Sequence, residues 1–397
     1  MGRTAASRIG VAIMAGVVVT LAGAPAPGVP PRYAGDAPPA LPDATAGGCV
    51  GPSPITAGRP SWAFQRVQPV DAWPLTRGAG VRVAVVDTGV SSRAGGLSGA
   101  VEPGRNVLTG GSGDADCLGR GTALAAIVAA RPAPGSVLTG VAPASSIFPA
   151  RVVDQRGKVP DGALAEGIEA ATAAGAKVIL VGMGTATPDA RLRAAVRTAI
   201  ARDAVVVASV ADQSPADSAG VGRSAPVWYP AADPDVLAVG GLDASGAPVQ
   251  SLSPSSGLDL LAPGSDAFSV GPSGSGNYTV GGPAVAAAYV AGAAALVRAY
   301  RPDLPGARVR HLLTATAQPS PVGPELDLYA AVSGPEVAVS SAAPRPVRTL
   351  AAPHPPRPST AGRTAGVVAL GGVTAAAAAW LVAVAVRQGR RRGWRRP

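Results

Sequence analysis

Between residues 62 and 334 the sequence repeats one pattern: a short, continuous run of β-branched and aliphatic residues, followed by an alanine-rich stretch of helical length. Runs at 81–86, 146–153, 177–181, 204–209 and 236–241 lack the polar residue at every second position that a half-exposed strand would show. They are therefore expected to be strands covered on both faces. Helices are expected at 122–130, 162–174, 188–201, 283–300 and 305–315, with Pro283 and Pro305 in first turns, where a missing N–H costs nothing. Such an alternation predicts an α/β fold with a mostly parallel central sheet and helices on both faces. In sheets of this kind the working residues lie at the carboxyl ends of strands and at helix N-termini.

The two ends carry different information. Arg3 and Arg8 precede an uncharged run from Ile9 to Leu21 and the small residues Ala22, Gly23, Ala24, Pro25 and Ala26, the order of a secretory signal peptide over 1–26. An uncleaved N-terminal anchor is the alternative, and the shortness of the run stands against it. Residues 366–386 are twenty-one without a charge, enough to cross a bilayer as a helix. Arg387, Arg390, Arg391, Arg392, Arg395 and Arg396 follow within the eleven residues 387–397, which places that tail in the cytoplasm and the bulk of the chain outside it. A buried core helix is the other reading of the apolar segment. Residues 27–61 are expected to form an extended arm, and 335–365, with Pro344, Pro346, Pro353, Pro355, Pro356 and Pro358, a stiff linker.

The net charge of +10 is a consequence of that topology. Removing the two signal-peptide arginines and the six of the tail leaves 26 basic residues against 24 acidic ones, so no electrostatic footprint for nucleic acid remains. Lysine occurs only as Lys158 and Lys177 beside thirty-two arginines, a usage expected of a GC-rich bacterial genome. The two cysteines, Cys49 and Cys117, read as a disulfide in an oxidising compartment, the alternative being two free thiols. Two cysteines and the distant His311 and His354 give no metal-ligand spacing, and no cofactor is expected.

Asp87 sits in Val-Ala-Val-Val-Asp-Thr-Gly, at the end of the first expected strand, where a carboxylate can either orient a base or merely cap the next loop. Further along stand Gly119-Arg120-Gly121-Thr122, Gly140-Val141-Ala142-Pro143, Tyr229-Pro230-Ala231-Ala232, Leu261-Ala262-Pro263-Gly264, and the run from Gly282-Pro283-Ala284 to Gly292. In that order the series resembles the subtilisin-like serine proteases over roughly residues 62–331. Within them it looks most like the mycosins, the membrane-anchored subtilases of actinobacterial type VII secretion systems. The resemblance implies a catalytic Asp at Asp87. It also implies that the family's His falls on Arg120, its nucleophilic Ser on Ala284, and its oxyanion Asn on Asp212.

Acyl transfer needs a nucleophile whose proton passes to a base, and neither a methyl group nor a guanidinium can fill those roles. Loss of nucleophile or base alone removes a factor of about 10⁶ in kcat. His311 and His354 are expected to be surface or packing residues. The expectation is therefore a pseudoenzyme that acts through contacts with type VII secretion membrane-complex proteins. An extracytoplasmic peptide-binding pseudoprotease, using Gly182-Met183-Gly184 as an edge, is the alternative, with an active serine endopeptidase behind both. Arg120 is expected to pair with Asp87, and with Asp212 if it reaches, or else to be the product of drift.

Overall fold

A computed structural model describes residues 37–42, 48–211, 227–249, 257–335 and 378–389. The chain divides into two compact units, Met1–Val337 and Ala338–Pro397. In the first, nine strands form one sheet: β1 (Arg82–Asp87), β2 (Arg105–Asn106), β3 (Ser146–Arg151), β4 (Val178–Val181), β5 (Val205–Ser209), β6 (Leu237–Leu242), β7 (Leu260–Pro263), β10 (Gln318–Ser320) and β11 (Gly323–Glu325). Their spatial order is β10-β11-β7-β6-β5-β4-β1-β3-β2, parallel except for the β10–β11 pair. A separate antiparallel hairpin joins β8 (Ala267–Val270) to β9 (Asn277–Val280). The helices are α1 (Trp62–Val67), α2 (Arg120–Ala129), α3 (Ala163–Ala173), α4 (Ala190–Ala201), α5 (Pro283–Tyr300), α6 (Gly306–Ala315) and α7 (Leu328–Ser333).

The period-2 alternation of the strands explains the layers. Val83 and Val85 of β1, Val178 and Leu180 of β4, and Val205 and Val207 of β5 enter one core with α2 and α5. Their neighbours Ala84, Val86, Ile179, Val181, Val206 and Ala208 enter the other with α3 and α4. Both faces are apolar, so the sheet is stable only when sandwiched. Helix α5 is the deepest element, with Pro283 through Arg298 buried without a break. Its alanines and Gly292 permit close approach: a Cβ on Gly292 would stand 2.6 Å from Val141 Cβ. This helix is long and apolar enough to cross a membrane, but 89% of it is buried, as in a core helix.

The five expected strands and five expected helices are all present, with ends shifted by up to two residues. Pro305 is the N-cap of α6 and not its first helical residue. Strands β2 and β7 to β11 were not anticipated. They hold two to four residues each and, unlike the equally short β4, are not uninterrupted β-branched or aliphatic runs. Helices α1 and α7 were missed because they are short.

Two constraints tie peripheral segments to the sheet. The arm lies along β9: Leu41 N donates to Thr279 O, Thr279 N to Pro39 O, and Asn277 N to Ile55 O at 2.6–2.9 Å. Cys49 and Cys117 are joined, closing a loop with a sequence separation of 68. At the other end, Asp203 accepts from Arg298 Nη2 (2.6 Å), Lys177 Nζ (3.1 Å) and Gly306 N (2.6 Å), locking α5 and α6 to the approach of β5. Residues 378–389 of the second unit form a helix whose Trp380, Leu381, Val382 and Val386 are exposed. It overlaps the end of the expected span 366–386. The rest of that span lies outside the described residues, as do the signal segment 1–26 and nearly all of the linker 335–365.

Replacing Cys49 and Cys117 by Ser should lower unfolding stability by on the order of 4 kcal/mol, read from denaturant melts. Burial works against ionised Asp203, but Arg298, the Gly306 amide and Lys177 hold its carboxyl below the ordinary range. Its contribution to stability is thus present above the ordinary carboxylate pKa and lost as pH falls through the lowered value. As pH falls below the ordinary carboxylate range the native chain should therefore lose more stability than Asp203→Asn, read from denaturant melts at stepped pH.

Candidate functional site

Asp87 is the last residue of β1 and has no solvent exposure. Its Oδ1 accepts from Thr88 N at 2.7 Å. The facing strand β4 ends one residue before Gly182, and a Cβ there would stand 2.1 Å from Asp87 Oδ2. Only glycine leaves room for the carboxylate.

Arg120 opens α2 after Gly119, whose φ of 85° turns the chain into the helix. Its guanidinium closes on Asp87 in a fork, Nε to Oδ1 at 3.1 Å and Nη2 to Oδ2 at 2.6 Å, and Nη2 also donates to Gly182 O at 3.1 Å. The arginine side chain is 17% exposed and the aspartate 0%. Gly121, next in the helix, donates its N–H to Thr88 Oγ1 at 2.8 Å, and a Cβ on it would meet Gly89 O at 2.1 Å. A pair of small residues thus lets α2 approach β1 closely enough for the fork to close.

A cation in the first turn has the wrong sign for the helix dipole. The free amides at this helix start are met by a second buried carboxyl group. Asp116 accepts from Leu118 N, Gly119 N, Thr122 N and Thr122 Oγ1 at 2.7–3.0 Å. Burial pushes its carboxyl above the usual range, against the pull of Thr122 and Gly119. Sequence reading passed over Asp116. Its signal was an acid just ahead of the glycine-flanked start of a helix, where free amides collect.

Ala284 stands in the first turn of α5, 1% exposed, behind Pro283 and Gly282. Gly282 has φ 105° and donates to Gly264 O at 2.6 Å, immediately past the end of β7. Ala284 and Asp87 therefore belong to the same end of the sheet, where strands terminate and helices begin. At the end of β5, Val210 N donates to Val239 O and Ser209 Oγ to Ala211 O. Asp212, the next residue, lies outside the described residues.

His311 is elsewhere. It sits in α6, whose first residue bonds to Asp203 ahead of β5, at the opposite end of the strands from Asp87. Its buried Nε2 has no partner among the described residues, and His354 lies outside them. In the site itself a guanidinium held by a carboxylate accepts no proton, and a methyl group offers no atom for acylation. The arrangement is a closed ion pair.

Comparison with known proteins agrees with this architecture. The model of the subtilase family, peptidase S8, matches residues 78–344. Mycosin-4 of Mycobacterium tuberculosis (strain H37Rv) is 33% identical over 354 residues, covering 77% of this chain and 76% of that protein. The crystal structure of MycP1 from Mycobacterium smegmatis superposes with a TM-score of 0.61 at 27% identity, over 77% of this chain and 97% of the other. A chain in the periplasmic assembly from the ESX-5 inner membrane complex gives 0.64 at 26% identity, over 81% and 97%. The chain belongs to the subtilase family, and within it is similar to the mycosins.

Proposed function

We propose that this chain is a catalytically inactive, membrane-anchored subunit, mycosin-like, that works through protein contacts in a type VII secretion system. The observation that carries the reading is the Arg120–Asp87 fork, with Ala284 heading α5: the place of a general base is filled by a cation already bound, and the place of a nucleophile by a methyl. Similarity to mycosin-4 and to a chain of the ESX-5 periplasmic assembly supports the setting. The uncharged stretch 366–386 followed by six arginines supports a single C-terminal span with the tail in the cytoplasm.

The alternative, a peptide-binding pseudoprotease, has less support. Gly182 O is engaged by Arg120, and Thr185 exchanges both backbone hydrogen bonds with Tyr229 at 2.8–2.9 Å. Of the segment that would pair with an extended peptide, this leaves Met183 and Gly184.

Two predictions follow from the ion pair and its setting. Arg120→Ala strands a buried charge and should cost about 3–5 kcal/mol in denaturant melts, with Asp87→Asn in the same chain recovering part of the loss. Equal stability of the single and double variants would remove the pair from its structural role. Detergent-extracted full-length protein should take up no fluorophosphonate probe and should co-purify stoichiometrically with membrane proteins. Labelling abolished by changing one particular Ser would refute inactivity, and recovery of a bound secreted peptide instead of membrane subunits would favour the alternative.

A further inference from the structure

The start of α2 is held from two sides. From within, Asp116 accepts from the Leu118, Gly119 and Thr122 amides and from the Thr122 hydroxyl. From outside comes the N-terminal arm. Cys117, between Asp116 and Leu118, is bridged to Cys49, and its carbonyl accepts from Val50 N at 2.9 Å. Leu41 of the same arm closes over the turn, since a Cβ on Gly119 would stand 3.3 Å from Leu41 Cδ1. Both arm contacts fall within three residues of Arg120.

The arm is seated in turn on the β8–β9 hairpin. Residues 51–53 cross the loop between the two strands, where a Cβ on Gly274 would stand 2.7 Å from Pro52 Cβ and one on Gly276 would overlap Ser53 O. Tyr278 donates its hydroxyl to Gly51 O at 2.9 Å, and Asn277 Oδ1 accepts from Ala57 N at 2.8 Å. Val50 and Ser53 are buried. A segment fixed both to the hairpin and to the helix start couples the two through continuous packing and hydrogen bonds. Position 120 is sensitive to such support. Its planar guanidinium serves both Asp87 oxygens and Gly182 O at once, so a small shift of the first turn of α2 costs more than one hydrogen bond. Gly119, the N-cap, has no side chain with which to fix that turn.

We propose that the arm is a clasp for the degenerate site: through the Cys49–Cys117 bridge, the Val50 amide and Leu41 it holds the 116–119 turn where Arg120 closes on Asp87. With the clasp open the sheet persists, but the fork loosens and water reaches a carboxylate that has no exposure while the fork is shut. Neither the membrane anchor nor the secretion setting enters into this. A bridge also restricts the unfolded chain, but that effect is the same whether or not Arg120 is present, so it cancels in a double-mutant cycle.

The test is such a cycle on the full-length protein in detergent, with folding constants taken from denaturant melts. Cys49→Ser with Cys117→Ser forms one axis and Arg120→Ala the other. The chain with all three changes should have a folding constant about tenfold larger than the product of the separate effects gives. The same bridge removal combined with Asp203→Asn, ahead of β5 at the opposite end of the strands, should match the product within about twofold. If the chain with all three changes does not fold, Tyr278→Phe replaces the bridge removal, since it deletes only the hydroxyl that Gly51 O accepts from, and about threefold coupling to Arg120→Ala is expected. Agreement with the product in the Arg120 cycle overturns the clasp. Equal coupling in the Asp203 cycle overturns it as well, because the bridge would then act on the chain as a whole.

Discussion

Asp87 carries a charge with no access to water, at a point where β1, β4 and α2 converge. Such a group must be neutralised, bound by a cation, or met by many donors. One backbone amide and the fork of Arg120 meet it here, and the neighbouring geometry follows from making room for that fork. Gly182 gives up its side chain so that the carboxylate fits. Gly121 gives up its own so that α2 comes close. Asp116 then accepts the free amides at the start of that helix. Each of these residues is understandable only through the one beside it.

The same economy of volume governs the core. Helix α5 lies across β4 to β7 and against α2, and its first six residues, Pro283 to Ala288, carry no aromatic or long side chain. An alanine at 284 is thus consistent with its packing. The helix also sets the polarity of the domain, with Ala284 at its start and Tyr300 at its finish.

Much of this was legible in the sequence because it depended on pattern over many residues. Long β-branched runs, alanine-rich helices and ordered glycine-proline motifs all rest on burial and backbone conformation, which leave periodic marks. The pairing of Arg120 with Asp87 could be anticipated, since an acid ending a buried strand needs a cation and Arg120 opens the glycine-flanked helix that follows. Asp116 was passed over, because its partners are three backbone amides and the Thr122 hydroxyl, brought together by a turn and marked only by an acid ahead of a glycine-flanked helix start. Strands of two to four residues were equally invisible: their hydrogen bonds come from neighbours brought alongside by larger elements. The binding of the arm to β9 belongs with them, a match of backbone groups between segments more than two hundred residues apart.

The bridge between Cys49 and Cys117 encloses α1, β1 and β2 in one covalent ring, with Asp87 inside it and Arg120 three residues beyond. A single backbone cut anywhere from 50 to 116 would open the ring without dividing the molecule. The two pieces would remain one particle, and the arm would stay beside β9 even if the chain that leads from it had been severed.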